Sequence, residues 1–493
     1  MTTPVDCIAF HARLTPQRLA ARDLVHGREY RYIEFDRLIG QLATALTARG
    51  ISVGERVAVL ARNSAWQVAL HFACARIGAI YVPLNWRLSS AEITTQLARI
   101  RPRLLLGDAL AQALPQAEAL AEFAHAAEAL APLAATTIDP ARPSLVLFTS
   151  GTSGHSKGVM LTEGNLQHSA WNFATCTRVD GNSSFLCEGP MFHVIGLIAN
   201  VRPVLTQGGS IQVSDGFEPA RTLAWLMDPS LGISHYGGVP QMLLALRKQP
   251  GFDPARLRRV TALMTGGAPH AVEDIAAWLE DGVPMVSGFG MSETGTVFGM
   301  PVDREMIRAK LGSVGVPAPG MQTRVVDAQG RDCAAHTPGE LLLRGPNLTP
   351  GYWQDPEETA KSIDTEGWLH TGDIVRYDED DFFWIVDRKK DMYISGGENV
   401  YPAEIEAALG EHPGIAECAV VGVPDPQWGE VGYLAIVPVH ADLDTADVLE
   451  FLGARLARYK LPRHVHFVAA LPRTATGKLQ KAQLKEMVRE LER

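Results

Sequence analysis

The chain has 493 residues, of which 46% are hydrophobic and 20% charged, with 45 Lys and Arg against 55 Asp and Glu and a formal net charge of -10. This is the composition of an ordinary globular protein with room for two or three domains, and its negative balance argues against general binding to nucleic acid or an anionic membrane. The start MTTPVDCIAFHARLTP lacks a basic segment followed by an apolar one, and no apolar stretch approaches the ~20 residues that span a bilayer, so the expectation is a cytoplasmic protein without an integral membrane segment.

The first part alternates short apolar strands with helix-length amphipathic stretches. Arg56 to Leu60 reads as a strand, Ser64 to Ile77 as a helix capped by Ser64, and Ala79 to Pro83 as another strand. That alternation is the signature of an α/β fold. Ala109 to Ala135 is rich in Ala, Glu and Leu and favours helix. Pro140 to Pro143 breaks the chain before the apolar run Ser144 to Phe148, which delivers into a glycine-rich turn and then a helix starting near Thr162. Beyond about Ile307, Gly312 to Asp373 turns rich in Gly and Pro with β-like pieces at Thr323 to Val326 and Glu340 to Arg344, which reads as a small β subdomain. The charged string Asp387 to Asp391 then precedes a fresh pattern: a helix at Ala403 to Leu409, strands at Cys418 to Val423 and Tyr433 to Val437, and a helix at Ala446 to Ala457. This reads as a domain boundary with a short hinge. The six cysteines are scattered, without metal-type pairing, and read as packing thiols.

Between the strand and the helix lies Thr149-Ser150-Gly151-Thr152-Ser153-Gly154-His155-Ser156-Lys157-Gly158. Glycines let backbone N–H groups approach phosphate oxygens, hydroxyls donate further hydrogen bonds, and Lys157 supplies a compact cation, so the loop suits a polyphosphate. It departs from the Walker pattern, because Ser156 precedes Lys157 and Gly158 follows it. A plain Gly/Ser/Thr surface turn is the competing reading.

The string TSGTSGHSKGVMLTEGNL resembles the phosphate signature of the adenylate-forming superfamily, which includes acyl-CoA synthetases, aryl-CoA ligases, firefly luciferase and peptide-synthetase adenylation domains. The likeness continues in order through Thr265-Gly266-Gly267-Ala268-Pro269, Gly288-Phe289-Gly290-Met291-Ser292-Glu293-Thr294, Thr371-Gly372-Asp373, Asp387-Arg388-Lys389-Lys390-Asp391, Ser395-Gly396-Gly397-Glu398-Asn399 and Pro472-Arg473-Thr474-Ala475-Thr476-Gly477-Lys478, so it covers nearly the whole chain. It implies a large N-terminal domain of α/β subdomains plus a small β subdomain, residues 1–389, and a smaller mobile α+β C-terminal domain, residues 390–493, hinged near Lys390.

The resemblance also implies roles. Thr149 to Gly154 and Lys157 would hold the phosphates, while Gly267, Ala268, Phe289 and Gly290 would line the nucleotide pocket. Phe289 stands where the family more often has Tyr, which keeps a stacking face and loses a hydroxyl. Ser292 replaces the usual Thr and can still donate to the α-phosphate, and Glu293 would help hold Mg²⁺; a helix cap is the bland reading of this pair. Asp373 and Arg388 would reach the ribose. His193, in an apolar context where a buried core histidine is the default, would gate the carboxylate rather than act as a base, since a carboxylate is already ionised at neutral pH. Lys478 would bridge carboxylate and α-phosphate, and Ser395, Gly396 and Gly397 would receive the pantetheine chain. His193, Tyr236, Gly238 and Val297 would form the acyl pocket.

The expected activity is AMP-forming ligation of a carboxylic acid to coenzyme A through an acyl-adenylate, with ATP and coenzyme A as co-substrates and Mg²⁺ as cofactor. A medium- or long-chain fatty acid is favoured over an aryl acid of the hydroxycinnamate or benzoate type, and a luciferase-like oxygenase is a remote alternative. Partners are small molecules, with no nucleic acid, and a homodimer is compatible with the sequence.

Overall fold

The computed structural model describes the chain except residues 1–5, 115, 150–155, 268–269, 271, 328, 389–392, 401, 411, 441–442, 473–480 and 492–493. The chain divides into two compact units. One comprises Met1–Leu84, Arg101–Leu147 and Gly158–Asp387; the other comprises Asn85–Ile100, Phe148–Lys157 and Arg388–Arg493.

In the larger unit a mostly parallel sheet runs, edge to edge, through Val316–Pro317, Gly295–Gly299, Met285–Met291, Ala262–Thr265, His235–Gly238, Ser184–Cys187, Ser210–Val213, Leu19–Asp23 and Arg28–Arg31. A second sheet places Arg56–Leu60 between the parallel neighbours Ile80–Pro83 and Leu104–Gly107, with Pro143–Thr149 beyond Ile80–Pro83. Strands buried on both faces, such as Ile80–Pro83 and Ala262–Thr265, read as continuous apolar runs, as parallel sheets covered by helices require. The Ser64 hydroxyl accepts from the Gln67 N–H and starts the helix Ala65–Ile77, which Gly78 ends at φ +74; such an N-cap is worth about 1 kcal/mol. A four-stranded antiparallel sheet, Gln322–Val326, Gly339–Arg344, Leu369–Tyr377 and Phe383–Arg388, forms the small β subdomain.

Two expectations are corrected. The glycine-rich turn does not lead straight into a helix: the strand Lys157–Thr162 intervenes, and only then does Thr162 cap the helix Glu163–Thr177. The apolar residues Val159 and Leu161 are buried and make this strand a sheet edge. Second, Ala109 to Ala135 is not one helix. A single turn at Ala109–Ala111 and the helix Leu120–Glu128 are followed by irregular chain. The helix Tyr32–Ala48 holds that chain: Gln41 donates to the Glu128 and Leu130 carbonyls, and Thr44 donates to that of Ala131. Tertiary contact overrides propensity here.

A buried network ties three of these elements together. Arg202 forms a bidentate pair with Glu163 at 2.6 and 3.1 Å and lies 3.0 Å from His71 Nε2, and Ser144 donates to Glu163 at 2.5 Å. Burial and the Arg202 charge hold His71 well below the usual histidine range, so its neutral ring can accept from Arg202.

The second unit has a sheet ordered Glu398–Val400, Tyr393–Ser395, Gly429–Pro438, Ile415–Asp425, with His464–Phe467 parallel to Gly429–Pro438. One face packs Val420, Leu434 and Ile436 on the helices Pro402–Leu409 and Thr445–Gly453, and the other packs Val421, Tyr433 and Ala435 against Leu484 and Val488 of Lys481–Leu491. The helix Ser90–Ile100 belongs to this unit through Lys460, whose buried ammonium meets Glu92 and Glu404 at 2.6 Å each.

Among the described residues, no helix is long and apolar enough to cross a membrane. All six cysteines are free, and burial pushes the Cys176 thiol up to about 11 and that of Cys418 to about 12, which leaves them inert.

Candidate active site

Four neighbouring parallel strands end side by side. Tyr236 lies beside Leu186 on one flank and Leu263 on the other, Gly238 beside Thr265, and Thr265 beside Ser287. Beyond these positions the chain continues into Glu188 to His193, Gly238, Gly266-Gly267 and Gly288 to Gly290. Ligands of open α/β sheets sit outside the carboxyl ends of such strands. A site is therefore set by topology where the sequence supplies glycines. Gly267 takes φ +79, and a Cβ on Gly290 would stand 2.2 Å from the Gly295 carbonyl, so both positions demand glycine. Ala268 lies outside the described residues.

His193 is half-buried and caps a helix of π type, Val194–Val201, a rare form that concentrates at functional sites. The turn leading to it is fixed by Asn63, whose side chain donates to the Gly189 carbonyl at 2.9 Å and accepts from the Met191 N–H at 3.1 Å. No sequence pattern marks Asn63, because its partners are more than a hundred residues away.

Phe289 and Ser292 belong to an antiparallel hairpin, Met285–Met291 with Gly295–Gly299. Phe289 opposes Phe298, their rings 5.9 Å apart. Ser292 and Glu293 form the turn, so neither caps a helix. The Glu293 carboxylate accepts from the Tyr352 hydroxyl at 2.9 Å, and its carbonyl accepts from the Thr349 N–H at 2.7 Å. Tyr352 thus orients the predicted metal ligand, and sequence reading passed over it. Among the described residues no three His, Cys, Asp or Glu gather as a metal cage.

Asp373 is buried on the strand Leu369–Tyr377, its N–H donated to the Thr371 hydroxyl at 3.1 Å. The Arg388 backbone ends the adjacent strand Phe383–Arg388; its side chain lies outside the description. Thr149 ends one strand and Lys157 begins the next, while Ser150, Gly151, Thr152, Ser153 and Gly154 lie outside the described residues, as do Lys390 and Lys478.

The expected acyl-pocket residues are differently placed. Val297 is fully buried among Phe298, Val325, Leu341 and Phe383, in the core of the small β subdomain. Tyr236 is also fully buried, and its hydroxyl donates to Glu188 at 3.1 Å. Gly238 stands 3.4 Å, at a built Cβ, from Met242, an ordinary contact that a small side chain would tolerate.

Glu188 also accepts from the Thr222 hydroxyl, and burial raises its pKa from 4.5 to about 7. A carboxyl group with a raised folded pKa stabilises the fold most below its unfolded pKa and loses that contribution as pH rises through about 7. Glu188→Gln should remove this dependence. Between pH 5 and pH 8 the urea stability of the wild type should fall relative to the variant by up to about 3 kcal/mol. Parallel stability curves for the two proteins would refute the assignment.

In the second unit Ser395 pairs with Glu398 across Gly396-Gly397, at φ +59 and +83, a two-residue turn that needs positive φ twice. The Gly396 N–H donates to the Trp428 carbonyl at 2.9 Å, and a Cβ on Gly396 would stand 2.8 Å from the Trp428 ring. The turn alone accounts for both glycines. Glu398 pairs with Arg87.

A family model described as AMP-binding enzyme matches residues 8–353, and one described as AMP-binding enzyme C-terminal domain matches residues 404–478. The chain is 36% identical to a feruloyl-CoA synthase of an Amycolatopsis species, over 96% of each chain. It is 33% identical to a long-chain-fatty-acid–CoA ligase of Mycobacterium tuberculosis, over 92% of each. Its structure resembles the Bacillus subtilis o-succinylbenzoate CoA synthetase bound with a product analogue, with a TM-score of 0.88, 28% identity and coverage of 98% of this chain and 99% of that one.

Proposed function

The chain belongs to the AMP-binding enzyme family and is an ATP-dependent acid–CoA ligase, and from that premise we propose that its acid is aromatic, of the arylpropenoate or arylacetate kind. The observation that carries this reading is the identity with feruloyl-CoA synthase over 96% of both chains. The fatty acid favoured by the sequence reading draws support from a relative at lower identity.

In the first step a carboxylate oxygen of the acid attacks the α-phosphorus of ATP, and the bond to pyrophosphate breaks. In the second the coenzyme A thiol, having lost its proton, attacks the acyl carbonyl and AMP leaves. Two anions must meet in the first step, so cations and N–H donors are the main requirement. We assign Lys157 and the loop Thr149 to Gly154 to the β- and γ-phosphates, Ser292 to the α-phosphate, Asp373 and Arg388 to the ribose, and Lys478 to the oxygens that come together. His193, at the head of the π-helix, orients the carboxylate. Glu293, oriented by Tyr352, fits Mg²⁺, which binds through one or two carboxylates plus phosphate oxygens rather than an all-protein cage; the ion would neutralise charge on those oxygens. Lys390 is the proposed pivot between the two half-reactions, and Ser395 to Gly397 the path of the thiol. We assign the reaction to the cytoplasm, where ATP and coenzyme A are supplied.

The test is a competition among ferulate, indoleacetate, octanoate and palmitate at equal concentration, with ATP, Mg²⁺ and coenzyme A. The aromatic acids should show kcat/KM at least tenfold above the aliphatic ones. Preference for octanoate or palmitate would return the assignment to a fatty acid.

A further inference from the structure

The π-helix Val194–Val201 carries one polar side chain into the sheet. Asn200 is 1% exposed, and its amide Nδ2 has no hydrogen-bond partner. Its helix neighbours Leu197, Ile198 and Val201 are apolar and buried, as is Phe185 on the sheet, which like Asn200 lies against Gly237. Leaving a buried amide donor unpaired is unfavourable, and an apolar side chain of similar shape would avoid that cost.

The residues on either side of the amide are glycines. A Cβ on Gly237 would stand 3.0 Å from Asn200 Oδ1, and one on Gly189 would stand 3.3 Å from Nδ2. Gly237 lies at the carboxyl end of the strand His235–Gly238, and Gly189 lies in the turn that Asn63 fixes ahead of His193. The amide is thus set between the turn that leads to His193 and the carboxyl end of a sheet strand, on the same helix that His193 begins. A donor held unpaired at that place matches a ligand with an oxygen acceptor.

We propose that the Asn200 amide is a specificity-determining group that donates a hydrogen bond to an oxygen substituent of the acyl moiety, remote from its carboxylate. This rests on the acid–CoA ligase reading with an aromatic acid. A site built to hydrogen-bond a substrate oxygen rejects the analogue lacking it, because the protein group is then left unpaired, whereas apolar contacts discriminate weakly.

The test compares 4-hydroxycinnamate with cinnamate by AMP release in the wild type, Asn200→Leu and Asn200→Ser, together with KM for ATP and urea stability. The wild type should favour the hydroxylated acid. Asn200→Leu should reduce that preference at least tenfold with KM for ATP unmoved, and Asn200→Ser, which keeps a short donor, should fall between. Asn200→Leu should also be at least as stable as the wild type, since it removes an unpaired amide. An unaltered ratio of the two acids in both variants, with or without a change in stability, would make the amide structural or water-bound and overturn the proposal. If the wild type releases AMP with neither acid, the aromatic reading itself fails, which the ratio measurement keeps separate.

Discussion

Replacing Lys478 with alanine should slow acyl-adenylate formation about 10²–10³-fold, the magnitude typical of removing one preorganised charge-stabilising group. Thioester formation from supplied acyl-adenylate should fall far less. The reason is electrostatic. The attacking carboxylate and the α-phosphate are both anionic before they meet, so a cation between them contributes mainly while the new bond forms. In the second half-reaction a neutral carbonyl is attacked and AMP departs, which makes a weaker demand on that charge. We assign that cation to Lys478, which in sequence falls between Pro472 and Lys481. Separate measurement of the two half-reactions checks this; equal losses in both would remove Lys478 from the adenylation step.

The second large effect concerns stability. Glu163→Gln leaves the buried Arg202 guanidinium without its bidentate carboxylate, and breaking such a pair from one side costs about 3–5 kcal/mol. His71 cannot take the carboxylate's place, because its neutral ring only accepts from Arg202. The network joins Ser144, on the strand that runs to the phosphate loop, to Arg202, at the end of the π-helix, so the loss should appear in the urea midpoint of the larger unit. The double variant Glu163→Leu with Arg202→Met should recover much of it. The pH dependence has a definite sign. His71 has a folded pKa below its unfolded value, so its contribution is full above about 6.5 and is lost as pH falls below that. A Glu163→Gln protein as stable as the wild type would show the pair to be energetically idle.

What the sequence made legible was local. Ser64 capping Ala65–Ile77, the apolar runs at Arg56–Leu60 and Pro143–Thr149, and the glycines at 267 and 396 each announce themselves within a few residues. The strand Lys157–Thr162 escaped because six residues of mixed polarity between a glycine-rich loop and a helix cap carry no clear period. The buried polar groups escaped for a different reason. Asn63, Glu163, Glu188 and Tyr352 find partners through topology, across sequence separations that no window spans. Val297 and Tyr236 are both fully buried, through packing against Phe383 and the Glu188 contact, which their local sequence does not announce.

The claim on which everything else depends is that the acid's carboxyl group bonds to the α-phosphorus. Supplying ferulate labelled with ¹⁸O in its carboxyl group, with ATP, Mg²⁺ and coenzyme A, tests it in one mass-spectrometric measurement. One labelled oxygen per turnover should appear in AMP, with unlabelled pyrophosphate beside it. Label in inorganic phosphate, together with ADP in place of AMP, would contradict the adenylate and with it the assignment of the site.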